Sequence, residues 1–150
     1  MIKEYTTKQI IENKEDILYI KKLIYQNFLK YNISDASEEY KTVIKNVYSN
    51  KSNIESTISY FKKNTDIFIY YDNKEIVWVL INKQNKITHL FVDINHQNKW
   101  IGKALMTSFE KSMKEKWYSL IYLKSSKYAY SFYEKHWFSP KGNVYMEKHI

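Results

Sequence analysis

One stretch of the sequence decides the fold: residues 90–105 read LFVDINHQNKWIGKAL. It starts as an apolar strand, passes through a polar loop and continues as a helix. The apolar residues of that helix are spaced by four, and they are Ile101, Leu105, Phe109 and Met113. Unpaired main-chain N–H groups and the helix dipole favour an anionic ligand at the start of such a helix. The stretch therefore predicts an anion site between a strand and a helix.

The rest of the chain supplies further helices and strands around this stretch. Apolar residues recurring at three and four positions predict helices, and short apolar runs bounded by turn residues predict strands. In chain order, we predict a strand at residues 2–6, helices at 15–31, 37–48 and 53–63, strands at 66–71, 75–81 and 87–93, a helix at 101–116, a strand at 119–123, a helix from Ser125 or Ser126 to His136, and one or two strands within 138–150. This order predicts a single α/β domain over residues 1–150, with a mixed, mostly antiparallel central sheet flanked by helices.

Composition narrows the class of protein. A chain of 150 residues with 44% hydrophobic and 27% charged residues is typical of a globular domain with one core. It has no cysteine, and its four histidines show no ligand spacing, so we expect no metal site. Charge comes too early for a signal peptide, and no apolar run is long enough to span a bilayer. We therefore expect a cytoplasmic protein with no membrane partner.

The net charge is +8, and all 24 basic residues are lysines spread along the chain. Lysine lacks the planar fork with which arginine binds phosphate or guanine, and no basic block is present. The charge therefore disfavours a dedicated nucleic-acid arm, whereas an acidic small ligand would gain from it.

A second stretch, residues 125–138, reads SSKYAYSFYEKHWF. Together the two stretches resemble the GNAT superfamily of N-acetyltransferases. The first resembles its acyl-CoA motif Gln/Arg-x-x-Gly-x-Gly/Ala, here Gln97 to Gly102. The second is similar to the later motif A-x-x-F-Y-x-x-x-G-F, matched by Ala129, Phe132, Tyr133 and Phe138. The resemblance covers about residues 66–138 with every element in order, and the N-terminal third matches only in kind.

The resemblance implies an acyltransferase that takes acetyl-CoA as co-substrate and an amine as acceptor, and it allows a homodimer. The residues it places at the cofactor are Leu90, Phe91, Val92, Gln97, Asn98, Lys99, Trp100, Ile101, Gly102, Lys103 and Ser125. By the same resemblance, Tyr133 protonates the departing thiolate. We also expect His89 to accept the amine proton, since imidazole titrates in the right range. The absence of cysteine favours direct transfer without a cysteine-bound acyl group.

The chain departs from the family pattern at its tryptophans. All four, Trp78, Trp100, Trp117 and Trp137, stand where the resemblance expects glycine. Tryptophan differs from glycine in bulk and in the cost of a positive φ, so independent substitutions are a poor explanation. We hypothesise that the four codons are UGA, read as glycine by the source. A literal Trp100 should weaken CoA binding, because its indole competes with the phosphates for space.

Two other functions stay open at this point. The first is an acyl-CoA-binding or regulatory module that has lost catalysis, which a literal Trp100 favours. The second is a basic nucleic-acid-binding protein, which requires a lysine face with interleaved aromatic rings and salt-dependent binding.

Overall fold

The computed structural model describes residues 1–97, 99–142 and 144–150, with the side chain of Lys99 left out. In chain order its elements are β1 (Ile2–Thr6), α1 (Thr7–Ile10), α2 (Lys14–Asn27), a π-helical turn (Phe28–Asn32), α3 (Glu38–Tyr48), α4 (Ile54–Phe61), β2 (Asp66–Asp72), β3 (Glu75–Lys83), β4 (Lys86–Val92), α5 (Lys99–Glu115), β5 (Leu120–Lys124), α6 (Tyr130–Lys135), β6 (Ser139–Pro140) and β7 (Tyr145–His149). Within the described residues, no helix has the length and apolar character needed to cross a membrane.

The strands form one sheet in the order β1-β2-β3-β4-β5-β7-β6. Every neighbouring pair is antiparallel except β4 and β5, which are parallel. The predicted α/β fold with a mixed, mostly antiparallel sheet is confirmed. The tail returns as two strands, within the range that the sequence predicts.

Helices cover both faces of the sheet. The first layer is α1–α4, whose apolar residues pack with Ile67, Ile69 and Phe91 of the strands. The second layer is α5 and α6, which pack against the opposite face with Phe68, Leu80 and other strand residues. Alternation along each strand produces this division, because successive side chains point to opposite faces.

Short polar side chains fix where the first-layer helices begin. Asn13, Ser37 and Asn53 each accept a hydrogen bond from a main-chain N–H three residues later. Such caps satisfy one of the N–H groups that have no partner inside the helix.

Two helices differ clearly from the sequence prediction. The predicted helix at 15–31 is regular only to Asn27 and then widens into the π-helical turn. The second-layer helix α6 begins at Tyr130 rather than at Ser125 or Ser126. Ser126 accepts a hydrogen bond from the N–H of Ala129 at 3.2 Å, so the serine closes a separate turn ahead of the helix.

Both second-layer helices end with a tryptophan in the left-handed conformation. The φ angle is 66° at Trp117 and 68° at Trp137. At the end of α5, Trp117 N–H donates to Lys114 O (3.0 Å) and Tyr118 N–H to Met113 O (3.0 Å). This pair of bonds is the Schellman motif, in which glycine normally occupies the left-handed position.

The end of α6 repeats the motif. Trp137 N–H donates to Glu134 O (3.0 Å), and Phe138 N–H donates to Tyr133 O (3.1 Å). The rings of Tyr133 and Phe138 contact each other at 5.5 Å, which is the apolar contact that accompanies this cap. The two indole rings gain little stabilisation from packing, because Trp117 is 95% exposed and Trp137 is 81% exposed.

Candidate active site

The central feature is the separation of β4 from β5. These parallel strands pair only at Lys86 with Tyr122 and at Ile87 with Leu123. β4 continues to Val92, paired on its other side with β3. Main-chain groups on the β5 side of residues 88–92 therefore face an opening, which we call the groove. An open strand edge can hydrogen-bond an extended ligand through its main chain.

The loop between β4 and α5 is held by a carboxylate. Asp93 Oδ1 accepts a hydrogen bond from Asn95 N–H at 2.9 Å and lies 2.9 Å from His96 Nδ1. The main-chain N–H of Asp93 donates to Val77 O, which anchors the loop to β3. α5 then begins at Lys99, so its first turn lies just beyond the end of β4. This is the strand–loop–helix arrangement that residues 90–105 predict.

Gly102 allows close packing at the start of α5. A Cβ atom at this position would lie 2.8 Å from Cε2 of Phe132 and 2.9 Å from Cη2 of Trp78. The Trp78 indole is buried, and its Nε1 donates to His96 O at 3.1 Å. A larger residue at position 102 would require the rings of Phe132 and Trp78, or α5 itself, to shift.

Trp100 lies on the side of α5 away from the groove. Its ring contacts Tyr70 of β2 edge-on, with 5.6 Å between centroids, and 54% of the residue is exposed. The ring borders a cleft of about 660 Å³ whose lining includes Asp72, Asn95 and His96. β2 and β5 lie on opposite sides of β4 in the sheet. The indole of Trp100 therefore points toward β2. It can compete with a phosphate for space only through its bulk at the first turn of α5.

Gln97 joins three segments across the open end of the groove. Its Nε2 donates to the hydroxyl of Tyr31 at 2.6 Å, and its Oε1 accepts from the hydroxyl of Tyr128 at 3.5 Å. The two tyrosine rings stack at 4.3 Å. Nearby, Asp35 Oδ2 accepts the main-chain N–H of Lys127 at 3.0 Å. We call Tyr31, Gln97 and Tyr128 the bridge.

The bridge tyrosines escape prediction from sequence. The chain has 15 tyrosines, so no single one stands out by composition. Tyr31 belongs to the π-helical turn and Tyr128 to the loop before α6, and 97 residues of chain separate them. Only the tertiary fold brings the two rings together.

The other residues predicted at the cofactor take different positions. Leu90 and Val92 contact the second-layer core, whereas Phe91 is buried in the first layer. Lys103 is exposed on α5. Ser125 is buried at the end of β5, where its hydroxyl donates to Ser126 O at 2.7 Å.

Three positions at the start of α5 complete the predicted set. Ile101 is buried in the second-layer core, so its side chain supports the helix rather than facing a ligand. Asn98 lies outside the described residues, as does the side chain of Lys99.

Tyr133 lies on α6 with its ring buried between Phe132 and Phe138. Burial raises the pKa of its hydroxyl above the ordinary value, and the Tyr40 phenol of the first layer adds to the effect. Among the described residues the hydroxyl has no hydrogen-bond partner. A neutral phenol without a partner is suited to donating a proton to a ligand.

His89 has a different setting from the one expected. It is 3% exposed in the first layer, where its Nε2 lies 3.4 Å from Tyr48 Oη and its Nδ1 3.1 Å from Thr88 Oγ1. Rings of Tyr60 and Phe91 flank it. Burial lowers its pKa to about 4, so it is neutral at neutral pH. The expectation that His89 accepts the amine proton is therefore corrected: it is a histidine of the closed core.

The described residues contain no group of three or more His, Asp or Glu side chains placed to hold a metal ion. For an anionic ligand, the described residues provide positive charge and main-chain N–H groups.

An α/β sheet whose parallel strands separate beside a helix N-terminus defines a GNAT-type fold. The family model of the acetyltransferase (GNAT) domain matches residues 32–150, and the chain belongs to that family. No curated protein matches the sequence at a significant level.

Solved structures share the whole fold. A PaiA N-acetyltransferase from Thermoplasma acidophilum, in complex with coenzyme A, is 21% identical with a TM-score of 0.74, covering 100% of this chain and 99% of its own. An N-acetyltransferase from Staphylococcus aureus Mu50 is 18% identical with a TM-score of 0.68, covering 99% and 97%. An aminoglycoside 6'-N-acetyltransferase from Enterococcus faecium is 16% identical with a TM-score of 0.60, covering 99% and 96%. At these identities the likeness establishes the fold.

Proposed function

We propose that this chain transfers the acetyl group of acetyl-CoA directly to a primary amine of a small molecule or a protein. The proposal rests on one observation: beyond Ile87 the edge of β4 has no pairing with β5, and α5 begins just after β4 ends. The buried phenol of Tyr133 on α6 supports it. The expected location remains the cytoplasm.

The groove supplies the chemistry that acyl-CoA binding requires. Main-chain groups of residues 88–92 can pair with the two amides of the pantetheine arm, as an added strand would. We place the pyrophosphate at the first turn of α5, where main-chain N–H groups and the helix dipole attract an anion. Lys103, exposed on α5, adds positive charge. The relative from Thermoplasma acidophilum in complex with coenzyme A supports this assignment.

The reaction forms one C–N bond and breaks one C–S bond. Acetyl-CoA supplies an activated thioester when bound. A main-chain N–H near Val92 polarises the thioester carbonyl, as in an oxyanion site, and the neutral amine attacks the carbon. Tyr133 donates its proton to the departing sulfur, because its raised pKa keeps the phenol protonated at neutral pH.

The attacking nitrogen loses one proton, which restores the Tyr133 phenol directly or through water. The products are then the N-acetyl amine and the free CoA thiol, so protons and electrons balance without a further reactant. His89 takes no part in this scheme, since it lies in the closed core of the first layer.

Thiol release from acetyl-CoA in the presence of a panel of primary amines tests the proposal. We expect amine-dependent thiol release from the protein that carries Trp100 and faster thiol release from the Trp100→Gly variant. Binding of acetyl-CoA by calorimetry without thiol release from either protein would instead identify the non-catalytic acyl-CoA-binding module. Absence of acetyl-CoA binding in both would overturn the proposed function.

A further inference from the structure

The π-helical turn at Phe28–Asn32 lies at the open end of the groove. Ile33 N–H donates to Phe28 O at 2.9 Å, a bond that spans five residues instead of four. Single π-helical turns are rare and are frequently found at functional sites. The bridge contact of Tyr31 with Gln97 and Tyr128 fixes this turn against the loops that follow β4 and β5.

Asn32 ends the turn with an unusual polar group. Its Oδ1 is buried and has no hydrogen-bond partner among the described residues. Residues four apart share a face of such a turn, so Asn32 faces the same side as Phe28, which is buried against Tyr40. A buried acceptor without a partner destabilises a fold, and a site that binds ligand is one place where such a group is retained.

Resting on the proposed function, we propose that Asn32 Oδ1 accepts a hydrogen bond from the amine that attacks the thioester. A carbonyl oxygen can only accept, so its partner must carry an N–H or O–H group. The pantetheine arm already has the open edge of β4 for its amides. Asn32 ends the turn that begins at Phe28 of the first layer, whereas Tyr133 packs in the second layer, so this acceptor is separate from the proposed general acid.

The neutrality of Asn32 suits this role. A carboxylate beside an amine would raise the amine pKa and favour the ammonium form, which has no lone pair to attack with. A neutral carbonyl oxygen can orient an amine N–H without that penalty. Asn32 is thus a residue that selects a neutral primary amine at the groove.

The test uses the full chain loaded with CoA. Because CoA carries no acetyl group, this complex can bind the amine without reacting with it. The probes are 2-phenylethylamine, putrescine and a lysine-containing peptide, and calorimetry measures amine and CoA affinities separately. We expect Asn32→Leu to weaken amine binding at least about tenfold and to raise the Tm by about 2–4 °C, because it removes an unsatisfied buried group. The affinity for CoA should stay unchanged. Asn50→Leu, the same substitution at an exposed turn, should change neither affinity.

Asn32→Asp separates a substrate contact from a structural role. It keeps the acceptor oxygen, so amine binding should survive, while the pH profile of thiol release should move to higher pH. Amine affinity unchanged in Asn32→Leu would overturn the proposal, whatever the Tm. Weaker CoA binding with amine affinity intact would assign Oδ1 to pantetheine instead. If CoA binds but no probe amine does, the assignment to Asn32 is overturned while the acyl-CoA site stands.

Discussion

The first layer buries His89 and the second layer buries Tyr133, each among aromatic rings. His89 in the first layer has both ring nitrogens beside hydroxyl groups and no access to the groove. The hydroxyl of Tyr133 in the second layer has no hydrogen-bond partner among the described residues. The Tyr40 phenol of the other layer adds to the rise in its pKa. Burial favours the neutral form of both groups. A shifted pKa therefore marks the burial of both groups and does not by itself identify a catalytic residue.

The layers also differ in backbone strain. First-layer helices begin with ordinary asparagine and serine caps. Both second-layer helices end on a tryptophan at positive φ, where a Cβ atom is costly. Four experiments test this difference between the layers.

The largest effect should follow from removing the phenol of the second layer. Tyr133→Phe should lower kcat by about 100-fold, the usual contribution of a general acid, and leave CoA affinity unchanged. Tyr130→Phe on the same helix provides the matched control and should retain activity. An unchanged kcat in Tyr133→Phe would make Tyr133 a core residue like His89.

The first layer should respond to pH instead. Because burial lowers the pKa of His89 from 6.5 to about 4, the folded state resists a proton that the unfolded chain accepts. Neutral His89 makes its full contribution to the free energy of unfolding above pH 6.5. This contribution falls as the pH drops toward 4, and the loss is about 3 kcal/mol. Denaturant unfolding of wild type and His89→Phe from pH 7 to 4 should show this loss in wild type only. Equal pH slopes in the two proteins would contradict the assignment.

Relief of backbone strain should give a smaller gain. Trp117→Gly and Trp137→Gly should each raise the free energy of unfolding by about 1 kcal/mol, since glycine adopts positive φ without a clash. Trp117→Ala and Trp137→Ala remove the indole but keep Cβ, so they should not reproduce the gain. Equal stability of the glycine and alanine variants would show that φ carries no cost here.

The smallest effect should appear at the start of α5. Trp100→Gly should tighten CoA binding several-fold in calorimetry, less than a ring lying inside the groove would produce, because the indole leans toward Tyr70. Equal affinities would show that the first turn of α5 tolerates the ring.

The codons at positions 78, 100, 117 and 137 connect these last two experiments. UGA at all four would support the hypothesis that the source reads them as glycine. UGG at position 100 would reject it there. Positions 117 and 137 are the most informative, because their backbone has the positive φ that favours glycine. Trp78 and Trp100 instead contact other rings, so these side chains have a packing role.

The architecture of the domain could be predicted from the amino-acid sequence. Strand alternation, helix periodicity and the stretch at residues 90–105 follow from local rules, and the structure and the family match agree with them. The same pattern placed Tyr133 on a helix, and the structure finds positive φ at Trp117 and Trp137, two of the four positions where the resemblance expects glycine.

Only the tertiary structure decided which side chains meet. A strand pattern shows that His89 alternates with its neighbours, but it does not show that helices close over that face. The bridge, the direction of the Trp100 ring and the unpaired Oδ1 of Asn32 arise from contacts between distant segments. Side-chain environment depends on what packs across space, whereas periodicity records only which face a residue occupies.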